Sequence, residues 1–328
     1  MSRVVVAGGA GFLGSHLCDR LIERGDSVVC LDDLSTGSKE NVAHLLEHDR
    51  FRLVVTNVSE KVELGDERRV DAVCNFASPA SPPAYLARPF DTLAVGSEGT
   101  RRLLELAQAH GARFLMASTS EVYGDPDVHP QVESYRGNVD PTGPRSVYDE
   151  AKRFAESLTM AMHRTHGVNV GIVRIFNTYG PRLAPGDGRV VSNFIMQALR
   201  GAPLTVYGDG TQTRSLCFVD DEIAGLLALL DSSLTGPVNI GNPDERTMLE
   251  LAHVVLEATG SSSDITFEPL PQDDPTRRCP DITLARSELG WEPTTGLGDG
   301  IERTIDQCEP SLEIAGYVAE SKPAERKG

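Results

Sequence analysis

Tyr148 and Lys152 are the two side chains of this sequence whose types and spacing best suit acid–base chemistry. Four residues apart on a helix, they lie one turn apart on the same face. We expect the lysine ammonium to lower the pKa of the phenol, because a nearby positive charge favours the phenolate. The hydroxyl of Thr119 could then hold an alcohol while the phenolate removes its proton. The set predicts an enzyme that oxidises a secondary alcohol, although the tyrosine–lysine spacing alone also fits an exposed helix face.

A glycine-rich turn near the start of the sequence is the second chemical signal. It reads Gly8-Gly9-Ala10-Gly11-Phe12-Leu13-Gly14 and directly follows an apolar run. Glycines there let backbone N–H groups approach a pyrophosphate, and the following helix adds partial positive charge. The next apolar run ends at Asp32, 18 residues beyond the last glycine, where a carboxylate binds ribose hydroxyls and repels a 2′-phosphate. Since no arginine follows Asp32 directly, the sequence predicts NAD rather than NADP.

Composition and charge restrict the class of partner. The chain has 328 residues and a formal net charge of −17, which argues against nucleic acid and against anionic membrane surfaces. No apolar run is long enough to span a bilayer, and a strand predicted from Arg3 leaves no room for a signal peptide. The six cysteines form no C-x-x-C pair and the histidines lack metal-ligand spacing. We therefore expect free thiols, no metal site and a cytoplasmic protein.

Short apolar runs alternate with helical patterns in the first half of the chain, which is typical of a parallel sheet covered on both faces. The predicted strands are Val4–Ala7, Val28–Leu31, Phe51–Val55, Ala72–Phe76, Arg113–Ala117 and Val170–Arg174. The predicted helices are Gly11–Glu23, Thr92–His110 and Tyr148–His166. Beyond residue 178 we expect shorter elements at Val190–Arg200, Leu204–Val206, Asp220–Leu230 and Thr247–Thr259. The predicted fold class is α/β, a Rossmann-type doubly wound parallel sheet with a smaller C-terminal α/β substrate-binding lobe.

Longer motifs resemble those of a known family. From about Arg3 to about Ile305 the chain resembles the extended short-chain dehydrogenases/reductases that modify nucleotide sugars, and more narrowly the UDP-glucuronate decarboxylases, also called UDP-xylose synthases. The motifs that carry this resemblance are Ala77–Pro82, Ser118–Pro126, Gly143–Arg145 before Tyr148, Arg174–Arg182, Asp187–Val191, Tyr207–Gly210, Gln212–Arg214 and Arg277–Asp281.

The resemblance implies a role for each matching residue. The catalytic residues would be Tyr148 as base, Lys152 as its partner, Thr119 and Glu121. The NAD site would comprise Gly8, Gly11, Phe12, Leu13, Gly14, Asp32, Asp33, Asn57, Val58, Phe76, Ser78, Tyr148 and Lys152. The UDP-sugar would be held by Ser120, Asn177, Arg189, Tyr207, Arg214 and Arg278, because arginine forks suit phosphate and carboxylate. Whether Arg278 meets a phosphate or the sugar carboxylate stays open.

The sequence pattern also indicates a domain division, and the resemblance implies an assembly. Residues 1–177 would form the NAD-binding domain, to which segments at about 205–240 can return. Residues 178–309 would form mainly the nucleotide-sugar-binding lobe, and the charged, weakly periodic segment 310–328 is predicted to be a flexible tail. A homodimer would form through the helices predicted at Thr92–His110 and Tyr148–His166.

The implied reaction is a decarboxylation with an internal redox cycle. Oxidation of UDP-glucuronate at C4 gives a ketone β to the C6 carboxylate, carbon dioxide is lost, and reduction of the 4-keto pentose yields UDP-xylose. Release of some keto product stays open, as does the choice between UDP and dTDP. We expect Glu121 to be protonated or to lie beside a water that returns the C5 proton; otherwise it is a structural residue bonded to nearby backbone.

Three other functions share parts of this residue set. Sugar 4,6-dehydratases need a general acid directly after the threonine, where this chain has Ser120, and 4-epimerases usually lack a counterpart of Glu121. A non-catalytic NAD-binding sensor typically loses the tyrosine or the lysine, and both are present here. The sequence therefore favours the decarboxylase, with protection by UDP against thermal unfolding as the observation that would exclude a sensor.

Overall fold

The structure, a computed structural model, describes residues 1–314 apart from 65, 67, 185–186 and 271–276, with backbone alone for 309–314. Its strands are β1 Arg3–Ala7, β2 Ser27–Asp32, β3 Phe51–Val55, β4 Ala72–Asn75, β5 Arg113–Thr119, β6 Val170–Ile175, β7 Thr178–Tyr179, β8 Leu204–Tyr207, β9 Thr213–Ser215, β10 Cys217–Phe218, β11 Val238–Ile240, β12 Glu245–Thr247 and β13 Ile265–Glu268. Its α-helices are α1 Phe12–Glu23, α2 Pro82–Ala87, α3 Pro89–Ala94, α4 Thr100–His110, α5 Ser146–His166, α6 Val190–Leu199, α7 Val219–Asp231, α8 Met248–Thr259, α9 Thr283–Leu289 and α10 Leu297–Ile314.

Seven parallel strands form the central sheet, in the order β11-β6-β5-β4-β1-β2-β3. All five residues of β1 are buried, as expected of a strand covered on both faces. One face packs under α1 and α7, and the other under α4 and α5. The order of the first six strands is that of a doubly wound dinucleotide-binding sheet. The predicted fold class is confirmed, and the predicted strands agree with the observed ones to within two residues at each end.

The single helix predicted over Thr92–His110 is wrong in one respect. Helix α3 ends at Ala94, a wide π-type turn occupies Val95–Gly99, and α4 begins at Thr100. Gly96 in this turn lies against α5, where an added Cβ would come within 2.7 Å of the Ala151 Cβ. Close packing of the two helices therefore accompanies the wide turn, a feature that helical periodicity does not encode.

The second half of the chain builds a smaller lobe beside the sheet. Pairs β8–β13, β9–β12 and β7–β10 form three two-stranded sheets, with α6 and α8 packed on the first. Helix α7 and strand β11 return to the central sheet. Helix α10 runs to Ile314, past residue 310 where the tail is predicted to begin, and 315–328 lie outside the described residues. None of the described helices is long and apolar enough to cross a membrane.

The sheet also brings the predicted chemical residues to one edge. The glycine turn follows β1, Asp32 ends β2, Phe76 follows β4, and Thr119 ends β5. Because parallel strands have their carboxyl ends at the same edge, these residues face a common crevice. The smaller lobe closes the other side of that crevice.

Candidate active site

The glycine turn between β1 and α1 is shaped to receive a pyrophosphate. Gly8 has φ +75°, and a Cβ on Gly14 would lie 2.0 Å from the Gly8 carbonyl oxygen. No side chain caps the N-terminus of α1, and its first turn has no acidic residue. The first N–H groups of the helix and its positive end are therefore open to an anion. On these observations the residues fit a dinucleotide.

Asp32 lies directly beneath this turn and helps to hold it. Its carboxylate accepts hydrogen bonds from the backbone N–H of Ala10 at 2.9 Å and of Leu34 at 2.8 Å. Burial raises its pKa, although these two bonds act in the opposite direction. Each carboxylate oxygen can accept a second bond, so Asp32 can still receive ribose hydroxyls. The neighbouring Asp33 is exposed and accepts from the N–H of Ser35.

A small cavity of about 100 Å³ continues from the glycine turn towards the predicted adenine end. Val58 is buried there, whereas the amide oxygen of Asn57 already accepts the N–H of Ser59 at 2.9 Å. The walls of this cavity include the four predicted residues Asp32, Asp33, Asn57 and Val58, and it shares Gly8, Gly11, Phe76 and Ser78 with the larger cleft.

The larger cleft, of about 960 Å³, contains the predicted catalytic group. Tyr148 and Lys152 project from the first turns of α5, and the Lys152 ammonium lies 5.7 Å from the centre of the Tyr148 ring. Thr119, at the end of β5, lies within hydrogen-bonding reach of the Tyr148 hydroxyl. Lys152 Nζ donates to the Ala117 carbonyl oxygen at 2.9 Å. The tertiary structure thus assembles the predicted trio.

The electrostatics of this trio differ from the sequence expectation. Burial raises the pKa of Tyr148 well above its ordinary value, and the negative charge of Glu121 raises it further. The hydrogen bond from Thr119 and the charge of Arg189 act in the opposite direction but do not compensate. Burial also lowers the pKa of Lys152 to about 8, so the ammonium is still mostly charged at neutral pH but loses its proton more readily than an exposed lysine does. The expectation of a lowered pKa for Tyr148 is therefore wrong for the protein without NAD.

Glu121 is clamped between two arginines beside the trio. Its carboxylate accepts a bond from Arg145 Nη2 at 2.7 Å and forms an ion pair with Arg278. Burial alone would raise the pKa of Glu121, but the two guanidinium groups outweigh it and lower the pKa to about 2. The carboxylate is therefore charged at neutral pH, and the expectation of a protonated Glu121 is wrong. The alternative expectation is a structural Glu121 bonded to nearby backbone, but its carboxylate contacts the side chains of Arg145 and Arg278.

The six residues predicted to hold the sugar nucleotide all contribute to the wall of the larger cleft. They are Ser120, Asn177, Arg189, Tyr207, Arg214 and Arg278. Arg278 is buried, whereas Tyr207 is 43 % exposed at the far side of the cleft. Arg189 precedes α6 and pairs with Asp187 at 2.9 Å. The structure brings these residues together, and their individual roles remain predictions.

Sequence reasoning missed three residues at this site. Tyr85 of α2 stacks on Tyr148, with ring centres 5.2 Å apart and planes 8° from parallel. Arg145 belongs to a motif that carries the resemblance, but its contact with Glu121 depends on tertiary packing. Asp149 is buried beside the same group, and burial followed by the charge of Glu121 raises its pKa to about 7. Only the Gly143–Arg145 motif offered a signal.

The fold, the glycine turn and the tyrosine–lysine pair define a dinucleotide-dependent enzyme that acts on alcohols. The chain belongs to the NAD dependent epimerase/dehydratase family, whose family model matches residues 4–241. Among its relatives is UDP-glucuronic acid decarboxylase 1 of Arabidopsis thaliana, 53 % identical over 92 % of this chain and 69 % of the relative. UDP-glucuronic acid decarboxylase 1 of Xenopus tropicalis is 48 % identical over 99 % of this chain and 77 % of the relative. Within the family, the chain therefore groups with the UDP-glucuronic acid decarboxylases.

Solved structures of other members share the fold. UDP-glucuronic acid 4-epimerase of Bacillus cereus, in complex with UDP-glucuronic acid and NAD, has a TM-score of 0.84 at 28 % identity and covers 94 % of this chain and 99 % of its own. The dTDP-glucose 4,6-dehydratase DesIV of Streptomyces venezuelae, with NAD bound, has a TM-score of 0.85 at 30 % identity, covering 95 % and 98 %. The cofactor expected from Asp32 and the glycine turn, NAD, is confirmed by this kinship.

Proposed function

We propose that this protein converts UDP-glucuronate to UDP-xylose by NAD-dependent decarboxylation. The observation that carries the proposal is the ion-paired group of Glu121, Arg145 and Arg278 beside the Thr119–Tyr148–Lys152 trio. A cationic group next to the oxidation site suits a substrate that has a carboxylate two bonds from the carbon to be oxidised. The relatedness to UDP-glucuronic acid decarboxylases supports the same reaction.

Tyr148 acts first, as the base for the C4 hydroxyl. Bound NAD would supply the acceptor and donor of the C4 hydride and the positive charge of its oxidised ring. Because burial raises the pKa of Tyr148 in the NAD-free protein, its phenolate would depend on the positive charges of Lys152 and of the bound nicotinamide ring; once the phenol has received the C4 proton, it serves as a hydrogen-bond donor through the middle of the cycle. Thr119 holds the substrate hydroxyl within reach of that phenol. Lys152, fixed by the Ala117 carbonyl, would hold the nicotinamide ribose.

Decarboxylation then requires stabilisation of the oxygen at C4. Loss of carbon dioxide from the β-keto acid leaves an enolate, and the hydroxyls of Tyr148 and Thr119 are the donors placed to stabilise it. Arg278 would bind the sugar carboxylate rather than a phosphate, since it is buried and paired with Glu121 at the chemical end of the cleft. Because Glu121 is ionised, it would orient a water that protonates C5 rather than donate its own proton.

The nucleotide would lie along the opposite wall of the cleft. We infer that Asn177, Arg189, Tyr207 and Arg214 hold the UDP moiety, as these residues come from the smaller lobe or the segment leading to it. The first 177 residues, with α7 and β11, would bind NAD, and the remainder mainly the sugar nucleotide. Ser120 also favours decarboxylation over the dehydration that a sugar 4,6-dehydratase performs, because a serine hydroxyl is a poor acid for expelling a C6 hydroxyl.

We further infer a homodimer in a reducing, cytoplasmic setting. The outer faces of α3 and α5 expose Phe90 by 83 %, Phe154 by 51 % and Leu93 by 40 %. Exposed apolar side chains on two neighbouring helices suit an interface between copies of the chain. All six cysteines are free thiols, which supports the reducing compartment.

Incubation with UDP-glucuronate and NAD, followed by proton NMR, tests the proposed function. The expected products are UDP-xylose and carbon dioxide, with NAD present at catalytic amounts, and a minor 4-keto pentose would report leakage. A parallel incubation with the dTDP analogue measures nucleotide preference. Formation of a 4-keto-6-deoxy sugar from UDP-glucose, or of UDP-galacturonate from UDP-glucuronate without loss of carbon dioxide, would overturn the assignment.

A further inference from the structure

Three metal-ligating side chains meet outside the active-site cleft. His129, Glu245 and Cys279 each place one donor atom within 4.8 Å of the other two. The His129 Nε2 and Glu245 Oε2 atoms are 3.1 Å apart. We refer to these three residues as the HEC cluster. None of them belongs to the wall of the catalytic cleft or of the adjoining cavity.

The backbone fixes the His129 and Cys279 segments to each other. Gln131, fully buried, donates its N–H to the Cys279 carbonyl at 2.9 Å, and its side-chain oxygen accepts the Cys279 N–H at 2.9 Å. His129 is two residues before this double link. The imidazole and the thiol are therefore held at a defined separation, as a metal site requires.

Glu245 is brought to the same place by a strand pair. In the antiparallel β9–β12 pair, Glu245 lies directly opposite Ser215, so the two side chains share one face. The hydroxyl of Thr213 donates to one Glu245 oxygen, while the other oxygen faces His129. This leaves a carboxylate oriented by a neighbouring hydrogen bond, an arrangement common for protein ligands of metals.

Ser215 supplies an independent observation. Its side chain is 1 % exposed, and its hydroxyl makes no hydrogen bond within the described part of the chain. The hydroxyl is close to the Cys279 side chain, but a thiol is only a weak hydrogen-bond partner. A buried hydroxyl without a partner is costly, and a metal ion or a water bound to it would satisfy this oxygen.

We propose that the HEC cluster binds one divalent transition-metal ion of the zinc type. Imidazole, thiolate and carboxylate together suit zinc, and the thiolate disfavours magnesium and calcium. Three protein ligands leave a fourth position for water, towards which the Ser215 hydroxyl is available. Because the thiolate is the ligand, binding the ion displaces the Cys279 thiol proton to solvent.

The position of the HEC cluster gives the ion a structural effect on the cleft. Ser215 lies between Arg214 and Leu216, both in the cleft wall, and alternate residues of a strand face opposite sides. Cys279 directly follows Arg278, which pairs with Glu121. An ion on the outer side of this wall therefore restrains the backbone that carries two substrate-facing arginines.

Cobalt(II) titration of the full-length, chelator-treated protein tests the proposal. Cobalt bound through Cys279 should give a thiolate-to-metal charge-transfer band in the near ultraviolet that saturates at one equivalent, and zinc should displace it. Cys279→Ser should abolish the band, whereas Cys308→Ser, at a half-buried cysteine elsewhere, should keep it. Zinc should also raise the Tm of the wild type.

A second variant tests the same proposal without changing a buried residue. His129→Ala changes an exposed residue and should fold normally, yet lose the rise in Tm on adding zinc and weaken cobalt binding by at least about tenfold. Absence of a charge-transfer band in the wild type, or an equal band in Cys279→Ser, would overturn the proposal. Activity on UDP-glucuronate is not part of either readout, so failure here leaves the proposed reaction untouched.

Discussion

Replacing Glu121 with glutamine should remove the charge that holds two arginines at the active site. The amide keeps the shape of the side chain, but Arg145 and the almost fully buried Arg278 lose their anionic partner. The pKa of Glu121 falls from an ordinary 4.5 to about 2 on folding. That shift corresponds to about 3 kcal/mol of folding free energy at pH 7. Breaking one partner of a buried ion pair typically costs about 3–5 kcal/mol, so the two arguments agree.

The pH dependence distinguishes this charge effect from a change of packing. The native carboxylate has a lowered pKa, so its contribution is complete above about pH 4.5 and is lost as the pH falls towards 2. Urea unfolding should show Glu121→Gln to be less stable than wild type by about 3 kcal/mol at pH 7 and by about 1 kcal/mol at pH 3. Groups far from Glu121 cancel in the difference, whereas Asp149, whose pKa Glu121 raises, reduces the gap somewhat at pH 7.

A matched control is available at the surface. Glu23 pairs with Arg20 at 3.4 Å, with both side chains about half exposed or more, and Glu23→Gln should change stability by less than about 1 kcal/mol. A Glu121→Gln gap that is equally large at both pH values would refute the electrostatic reasoning. Normal turnover of the same variant would remove Glu121 from the proposed mechanism.

Three further predictions concern the trio and the outer helices. Tyr148→Phe should abolish turnover while UDP still raises the Tm, and measurable product by NMR would exclude Tyr148 as the base. Since burial lowers the pKa of Lys152 to about 8, its positive charge destabilises the NAD-free fold below that pH. The free energy of unfolding of the wild type should therefore rise by about 2 kcal/mol relative to that of Lys152→Met between pH 7 and 10. A difference that stays constant with pH would contradict this. Phe90→Glu should convert the proposed dimer to a monomer in light scattering, whereas Phe267→Glu, at an exposed aromatic of the other lobe, should not. An unchanged mass for both variants would contradict the proposed interface.

Much of the fold was determined by local sequence pattern. The runs around Val4–Ala7 and Val28–Leu31 are apolar at every position, which suits only strands covered on both faces. The glycine turn made the first strand-to-helix connection and the cofactor position predictable, because only glycine fits sterically where the backbone turns tightly or packs closely. Thr119 and the Tyr148–Lys152 pair could be placed for the same reason, since a strand end and one helical turn set their positions.

Tertiary structure alone decided how these residues affect one another. The direction in which the pKa of Tyr148 moves depends on burial and on Glu121, and the ionisation of Glu121 depends on Arg278, which is far away in sequence. Stacking of Tyr85 and assembly of the HEC cluster likewise join segments that no local pattern relates. Sequence spacing specifies geometry within a strand or helix, whereas desolvation and charge pairing depend on every element that packs around a group.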